Sequence, residues 1–362
     1  MAQFSVMTET LFLDLSQKEK WRELLGRLPV DQQDIYYTPE YYELYERKED
    51  NKACCFVVVQ DDEIALYPFL LNSINVLNLL DLEEDYYDIQ GAYGYNGVVS
   101  SSYQKRFIQS FYDHFSKFCL DQRIIAEFTR FHPLLNNVGF SQEFLQVWFN
   151  RKTIYLNLDQ SPEGIWNQSY SSKNRNMIRK ARKHGLCVTT SDDLQDYEDF
   201  YAIYTETMKN VGAEKYYFFD KAYFLDFRRL LKDQQQLFLV KLNEQTVCSL
   251  LLMSMKSYAH YHLSARDVRY SAYAANNLAL DVAIQMAREK GCQKIHLGGG
   301  RTAQENDSLF NFKANFSHDR ANFYIGGNIY HPEIYRKICE AWEKKYPEKK
   351  NALSSWILRY RY

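Results

Sequence analysis

Apolar and polar positions follow one recurring order in the second half of the chain. Apolar runs at 237–242 and 247–255, separated by a polar turn, predict a β-hairpin, and a further strand is predicted at 258–265. Apolar residues on one face indicate a helix at 276–290, with Asn276 as its cap and Gly291 at its end. The elements predicted next are a strand at 294–297, a glycine loop at 298–300, a short helix at 307–316 and a strand at 322–330.

The first half of the chain repeats this order. Strands are predicted at 53–60 and 64–71, around the turn Asp61-Asp62-Glu63, and a loop rich in glycine and tyrosine follows at 91–97. The pattern then predicts a helix at 102–120, and strands at 124–129 and 144–149. The repeat indicates two copies of one α/β module. We place the join near 150–152, which gives an N-terminal domain of residues 1–150 and a C-terminal domain of residues 151–362.

Length and composition fit two ordinary globular domains. The chain has 362 residues, of which 46% are hydrophobic and 25% are charged. Its formal net charge of −2 gives no general electrostatic reason to expect a nucleic-acid or membrane partner, and no DNA partner is predicted. The seven cysteines show no Cys-x-x-Cys or Cys/His spacing, so we predict reduced buried thiols and no metal site.

Targeting signals are not expected either. The sequence begins Met1-Ala2-Gln3-Phe4, without a basic segment followed by an apolar core. The apolar runs are all shorter than the roughly 18 residues that a transmembrane helix needs. We therefore predict a cytoplasmic protein without a transmembrane segment.

A basic segment lies between the two modules. Residues 171–185 carry six lysines and arginines and no acid, with Ser171 or Ser172 able to cap a helix and Gly185 able to end it. Arg175, Arg179 and Arg182 share one stripe of that helix. A segment of one sign can bind phosphates or a nucleic-acid backbone, whereas a basic surface helix can also pair with acids elsewhere in the fold. Composition alone leaves both interpretations open.

Several motifs taken together resemble one enzyme family. The helix from Ser172 to Gly185 resembles the S-K-N-x-R-x-x-I-R-K-A-x-K-x-G helix of the FemAB-type and BioF2-like acyltransferases in the GNAT superfamily, with one residue fewer between Asn174 and Arg175. The segments His296-Leu297-Gly298-Gly299-Gly300 and Phe312-Lys313-Ala314-Asn315-Phe316 are similar to the strand, loop and F-K-x-x-F segment of the same family. Further similar segments lie at 36–41, 93–97, 262–265 and 275–278.

This resemblance implies an α/β fold of two tandem GNAT-like domains, with mixed sheets flanked by helices. It implies transfer of an acyl or aminoacyl group to an amine of a peptidoglycan or polysaccharide precursor. The acceptor would be a phosphate-bearing small molecule or a lipid-linked envelope precursor. The donor would be either aminoacyl-tRNA or acyl-CoA, without a tightly bound cofactor, and tRNA would be a partner in the first case.

Two alternative functions remain open. One is acetyl-CoA-dependent N-acetylation of an amino sugar or small metabolite, and the other is a catalytically idle protein that binds an anionic envelope intermediate or RNA. GNAT enzymes that use acyl-CoA resemble one another in a glycine-bearing pyrophosphate loop. Here the corresponding segment, 269–277, contains no glycine, which counts against acetyl-CoA.

The resemblance and the strand pattern together select the candidate site. Lys313 is the first catalytic candidate, because the family's F-K-x-x-F lysine lies at the substrate site, and we predict that it is needed for transfer and not for folding. The other catalytic candidates are His262, as a proton relay on the alternate face of strand 258–264 that also carries Ser264, and Asp307, with Glu305 as a weaker base. The residues predicted to bind substrate are Arg175, Arg179, Lys183, Ser264, Asn276, Gly299 and Tyr95.

Overall fold

The computed structural model describes residues 8–47, 49–304 and 306–362. Its strands are β1 Thr8–Asp14, β2 Asn51–Gln60, β3 Glu63–Ser73, β4 Tyr87–Gln90, β5 Val99–Ser100, β6 Ile124–Arg130, β7 Gln146–Asn157, β8 Cys187–Ser191, β9 Gln235–Leu242, β10 Gln245–Met255, β11 Tyr258–Arg266, β12 Lys294–Gly298 and β13 Arg320–Ile329.

The α-helices are α1 Lys18–Gly26, α2 Pro39–Glu43, α3 Lys105–Asp121, α4 Val138–Ser141, α5 Pro162–Gly164, α6 Ser172–Lys183, α7 Leu194–Asn210, α8 Lys221–Leu231, α9 Ala275–Glu289, α10 Ser308–Ala314, α11 Pro332–Lys345 and α12 Lys350–Leu353. A π-helical turn, Ile165–Ser169, continues α5. Among the described residues, every helix is too short or too polar to cross a lipid bilayer.

The first of two compact units comprises Met1–Asn150 and Phe323–Tyr362. Its strands lie in the order β1-β2-β3-β4-β6-β13, and β5 pairs with β3. Helix α3 packs against β2 and β3 through residues that are spaced four apart. This spacing places their side chains on one side of the helix. The buried side chains of that face are Phe107, Phe111, Phe115 and Cys119.

The second unit comprises Arg151–Asn322. Its strands lie in the order β7-β12-β11-β10-β9-β8. Helices α6 and α9 pack in one buried cluster with Leu250 and Leu252 of β10. Helix α6 contributes Ile178 and Ala181 to this cluster, and these two residues share one face of the helix.

The two sheets have the same topology. Each has three antiparallel pairs, then one parallel pair, β4 with β6 or β11 with β12, and then a last antiparallel pair. The last strands are exchanged along the chain. Strand β7, which follows β6 in sequence, pairs with β12, whereas β13, which follows β12, pairs with β6.

The division between the units falls after Asn150, where the predicted domain boundary lies. The exchange changes the predicted extent of the C-terminal domain and one predicted strand boundary. Residues 323–362 group with the first unit, because Ile325–Ile329 pair with β6 and α11 packs Ile338 and Trp342 against Ile125. Residues 150–152, predicted as the join between two strands, lie inside β7. Residues 146–157 contain neither glycine nor proline, so nothing breaks the extended backbone there.

Candidate active site at the fork of two parallel strands

Strands β11 and β12 form a fork in the second unit. Their parallel pairing ends with His260 opposite His296, although β11 runs on to Arg266 and β12 to Gly298, and both strands are described throughout. Parallel strands that separate expose backbone hydrogen-bonding groups on their facing edges. A fork of this kind can take up the amide groups of an extended ligand.

The side chain of Lys313 lies at this fork. Its Nζ donates a 2.8 Å hydrogen bond to the carbonyl oxygen of Gly299, just beyond β12, and lies 5.6 Å from the ring centroid of Tyr261 on β11. Lys313 is 8% exposed and is the one fully buried residue of α10, whose seven residues are all described. Burial lowers the pKa of Lys313 to about 7, although the charge of Asp307 acts in the opposite direction.

Glycines make room for this contact. Gly298 has φ +81°, and a Cβ at this position would lie 3.0 Å from Lys313 Nζ. A Cβ at Gly300 would lie 2.5 Å from Oδ1 of Asp307. The absence of a Cβ at Gly298 and Gly300 therefore lets side chains of the protein itself approach this loop closely.

The carboxylate of Asp307 accepts hydrogen bonds from neighbouring groups of the protein. Its Oδ1 accepts a hydrogen bond from the backbone N–H of Phe310, which makes it the N-cap of α10, and its Oδ2 accepts from the N–H and hydroxyl of Thr302. Burial raises its pKa, but these hydrogen bonds outweigh burial and hold the pKa below its usual value. The proposed catalytic role of Asp307 is not tested by this arrangement, and Glu305 lies outside the described residues.

A β-bulge at His262 separates two predicted site residues. On β10, Leu251 faces Leu263 and the next residue, Leu252, faces Tyr261, so His262 is the extra residue on β11. His262 turns to α8, where Nε2 lies 2.7 Å from the hydroxyl of Tyr223. Ser264 instead contacts α9, so the predicted shared face of His262 and Ser264 is wrong. The bulge interrupts the alternation on which that prediction depended.

The environment of His262 disfavours its charged form. Its ring stacks on Phe227 at a centroid distance of 5.1 Å. Burial, followed by the nearby His260, lowers the pKa of His262 to about 3. His262 is therefore neutral at physiological pH, and a protonated intermediate on its ring would be costly.

Helix α9 begins one residue earlier than its predicted cap. The residue before the helix is Ala274, in a left-handed conformation with φ +59°, and no side chain caps the first turn. Asn276 lies within that turn and donates to the hydroxyl of Ser264 at 3.0 Å. The first N–H groups of α9 thus remain available to an anion. The helix ends as predicted, with Gly291 at φ +83°.

The predicted phosphate-binding arginines differ in their surroundings. Arg175 donates from Nη1 to the carbonyl of Tyr170 at 2.6 Å and so covers the C-terminal end of the π-helical turn. Arg179 and Lys183 are exposed, and the guanidinium of Arg179 lies 5.3 Å from the centroid of Trp166. Ser171 caps α6 as predicted, by accepting from the N–H of Asn174.

Tyr95 belongs to the first unit. Its ring makes edge contacts with Tyr36 at 5.3 Å and with His132 at 5.4 Å. The structure thus groups Lys313, Asp307 and Gly299 in the second unit, and Tyr95 lies in an aromatic cluster of the first unit. Its predicted role in substrate binding remains a prediction.

Two residues of the fork escaped the sequence analysis. Tyr261 lies on a strand for which only the alternate positions, such as His262 and Ser264, were considered. The available signal was an aromatic residue between them and His260, and the structure places its ring beside Lys313. Arg151 donates to the carbonyls of Gly300 and Arg301 from a strand more than a hundred residues away in sequence. No local pattern connects these segments.

Comparison with known proteins identifies the type of domain that contains these residues. Residues 168–313 match the family of acetyltransferase (GNAT) domains, a range that includes α6, the fork and Lys313. A search of curated proteins finds no match to the chain.

Solved structures show the same fold at low sequence identity. FemX matches with a TM-score of 0.68 and 15% identity, over 91% of this chain and 99% of FemX. A tandem GNAT protein from the clavulanic acid biosynthesis pathway has a TM-score of 0.50 and 9% identity, over 88% and 98% of the chains. A conserved protein of unknown function from Bacteroides thetaiotaomicron has a TM-score of 0.53 and 12% identity, over 89% and 99%.

The predicted fold of two tandem GNAT-like units is confirmed, because a tandem GNAT protein and FemX both share it over nearly their whole length. Residues 168–313 match the acetyltransferase (GNAT) domain family, so the chain carries an acyltransferase domain, and the chain has the fold of FemX.

Proposed function

We propose that this chain transfers an acyl or aminoacyl group to an amine of a cell-envelope precursor, and that the transfer takes place at the β11–β12 fork. The observation that carries this proposal is the buried ammonium of Lys313 at that fork, 2.8 Å from the Gly299 carbonyl. A charged group is costly to bury, so a lysine in this position requires a compensating role.

Lys313 suits the charge that develops during acyl transfer. A neutral acceptor amine attacks the ester or thioester carbonyl, and the carbonyl oxygen becomes an oxyanion in the tetrahedral intermediate. The carbon–oxygen or carbon–sulfur bond to the leaving group then breaks, and the proton lost by the amine ends on the leaving group. An ammonium held at the fork stabilises the oxyanion and contributes a few kcal/mol, on the order of 100-fold or more in rate.

The donor carries phosphate in either of the two cases considered. Acyl-CoA carries a pyrophosphate at the far end of its pantetheine arm, and the acceptor end of aminoacyl-tRNA carries backbone phosphates. The uncapped first turn of α9 supports a phosphate position there, since its N–H groups and the helix dipole favour an anion. The absence of glycine in 269–277 does not abolish this turn, because Ala274 itself takes the left-handed conformation.

The acceptor follows from the resemblance to FemAB-type enzymes and from the exposed cations of α6. Among these cations, Arg179 and Lys183 point away from the buried stripe of Ile178 and Ala181. They suit the phosphates of a nucleotide-linked or lipid-linked envelope precursor. We therefore place the acceptor phosphates on this face of α6.

The test is transfer itself, measured with purified protein by mass spectrometry of the acceptor. Acyl-CoA and aminoacyl-tRNA are offered separately as donors, with a UDP-linked muropeptide as the acceptor. We expect one donor to be used, Lys313→Met to lose about 100-fold or more in single-turnover rate, and Lys313→Arg to retain part of it. Equal rates in the parent and Lys313→Met would refute the role of Lys313, and no transfer from either donor would refute the proposed reaction.

A further inference from the structure

Arg151 contacts the backbone of the glycine loop from strand β7. Its Nη1 donates to the carbonyl of Gly300 at 3.0 Å and to the carbonyl of Arg301 at 3.2 Å. Its aliphatic stem lies against Gly299, since a Cβ there would be 3.2 Å from Cδ of Arg151. One side chain thus covers the three residues that follow Gly298.

The opposite side of the same loop is held by α10. Asp307 accepts from the N–H of Thr302 at 2.9 Å and leaves no space for a side chain on Gly300. The loop therefore lies between the guanidinium of Arg151 and the carboxylate of Asp307. The carbonyl of Gly299, between these two attachments, is the acceptor for Lys313 Nζ.

A run of three glycines cannot fix its own conformation. Glycine has more backbone freedom than any other residue, and Gly298 already takes a positive φ. The orientation of the Gly299 carbonyl must then be set by contacts from outside the run. Arg151 contacts both Gly299 and Gly300, whereas Lys313 contacts Gly299 and Asp307 contacts Gly300.

We propose that Arg151 is a positioning residue for acyl transfer, which holds the glycine loop so that the Gly299 carbonyl fixes the Lys313 ammonium at the fork. This inference rests on the proposed function of Lys313. Arg151 acts through Gly299 and Lys313 and does not itself touch the reacting atoms.

Three variants test this role. Arg151→Met keeps most of the stem and deletes the hydrogen bonds, whereas Arg151→Lys keeps the positive charge and a donor. Arg288→Met is the matched control, because Arg288 is also half-buried in the second unit and also donates to a backbone carbonyl, that of Gln160 at 2.6 Å. Each variant is compared with the parent in a thermal melt and in single-turnover transfer.

We expect Arg151→Met to lose about 10-fold or more in kcat, with KM for both substrates changed less than about 3-fold. Arg151→Lys should recover part of the rate, and Arg288→Met should turn over like the parent. Two outcomes would overturn the proposal and leave Arg151 a structural residue. One is a rate loss that Arg288→Met shares. The other is a rate loss in Arg151→Met together with a melting temperature well below that of the parent.

A second measurement does not depend on enzymatic activity. Acetic anhydride acylates neutral lysines, so mass spectrometry of peptides labelled at a series of pH values reports the titration of Lys313 in the folded protein. Among the described groups, the charge of Asp307, the N-cap of α10, acts on this ammonium and the ring of Tyr261 on β11 faces it, whereas Arg151 contacts the backbone of the same loop. If Arg151 holds the site closed, its removal lets water reach Lys313 and weakens the burial that lowers its pKa.

The labelling midpoint of Lys313 should therefore rise by about one unit or more in Arg151→Met, and stay at the parent value in Arg288→Met. Arg151→Lys, which keeps the charge, should show a smaller rise. An unchanged midpoint in Arg151→Met would overturn the positioning role even if no substrate were known. A parent protein without transferase activity, but with the expected shift, would instead contradict only the proposed function.

Discussion

The guanidinium of Arg182 donates a 2.8 Å hydrogen bond to the carboxylate of Asp281 and so joins α6 to α9. The Asp281 side chain is 4% exposed, whereas that of Arg182 is 55% exposed. Burial raises the pKa of Asp281, and the positive charge of Arg182 partly offsets that effect. Arg182 thus neutralises a carboxylate inside the second unit, which explains one cation of the basic helix without a ligand.

We expect Arg182→Met to destabilise the second unit by about 1–3 kcal/mol, because it leaves a buried carboxylate without its partner. Arg179→Met is the matched control on the same helix. Both Arg179 and Arg182 lie over Trp166, but Arg179 donates to the side-chain amide of Asn176 and not to a buried carboxylate, so its loss should cost less than about 0.5 kcal/mol. Urea unfolding followed by tryptophan fluorescence measures both, and equal losses would contradict this assignment.

Substitutions at Arg175 and Arg179 should differ in their effects, the first on stability and the second on ligand binding. Arg175→Ala removes the hydrogen bonds to the end of the π-helical turn and should lower the melting temperature. Arg179→Ala should melt like the parent and bind the phosphate-bearing acceptor at least about 10-fold more weakly. Isothermal titration with the acceptor measures the second effect, and an unchanged affinity would remove Arg179 from the binding face.

Periodicity predicted the core of each unit because it depends on local patterns. The hairpins β2–β3 and β9–β10 and the helices α3 and α9 all follow from apolar spacing and turn residues. The exchange of β7 and β13 was missed, since it depends on which strands pair at long range. The bulge at His262 was missed for a related reason, because its signal is the register against β10.

The candidate site also has one part that a local pattern predicts and another part that it does not. Lys313 was found through a local motif, but its burial was not, because apolar spacing alone favours burial of Phe312 and Phe316 over burial of a lysine. Phe316 is buried, whereas Phe312 is more exposed than Lys313. The short helix α10 lies at the fork with its charged residue inward, which no pattern of apolar spacing indicates.

Glu127 gives the first unit a dependence on pH. This residue is fully buried on β6, and burial raises its pKa to about 8, although the nearby hydroxyl of Tyr330 opposes the shift. Between its ordinary value of 4.5 and about 8, the folded state binds more protons than the unfolded state, so stability falls as pH rises through this range. The slope approaches about 1.4 kcal/mol per pH unit.

Glu127→Gln removes that titration while it preserves the shape of the side chain. The variant should therefore gain stability relative to the parent as pH rises from about 5 to 8, and the gain should level off above that range. Urea unfolding at a series of pH values gives the difference directly. Parallel curves for the two proteins would show that Glu127 titrates normally in the folded state.

Lys313 should affect stability in the opposite sense. Its pKa is about 7 in the folded protein, against an ordinary value of 10.5, so between these values the unfolded state binds more protons. Stability of the parent should therefore rise with pH across this window, by up to about 1.4 kcal/mol per unit. Below pH 7 both states are protonated, and the full cost of the buried charge is present.

Lys313→Met keeps an apolar stem in the same space and deletes this charge. The variant should be more stable than the parent at pH 6 to 7, and its advantage should shrink as pH approaches 10. This differs from the expectation for an exposed lysine, whose loss would change stability little at any pH. Lys180→Met, at an exposed position of α6, is the control for loss of a lysine. If Lys313→Met is more stable yet transfers acyl groups far more slowly, the charge at the fork is maintained at a cost to folding because transfer requires it.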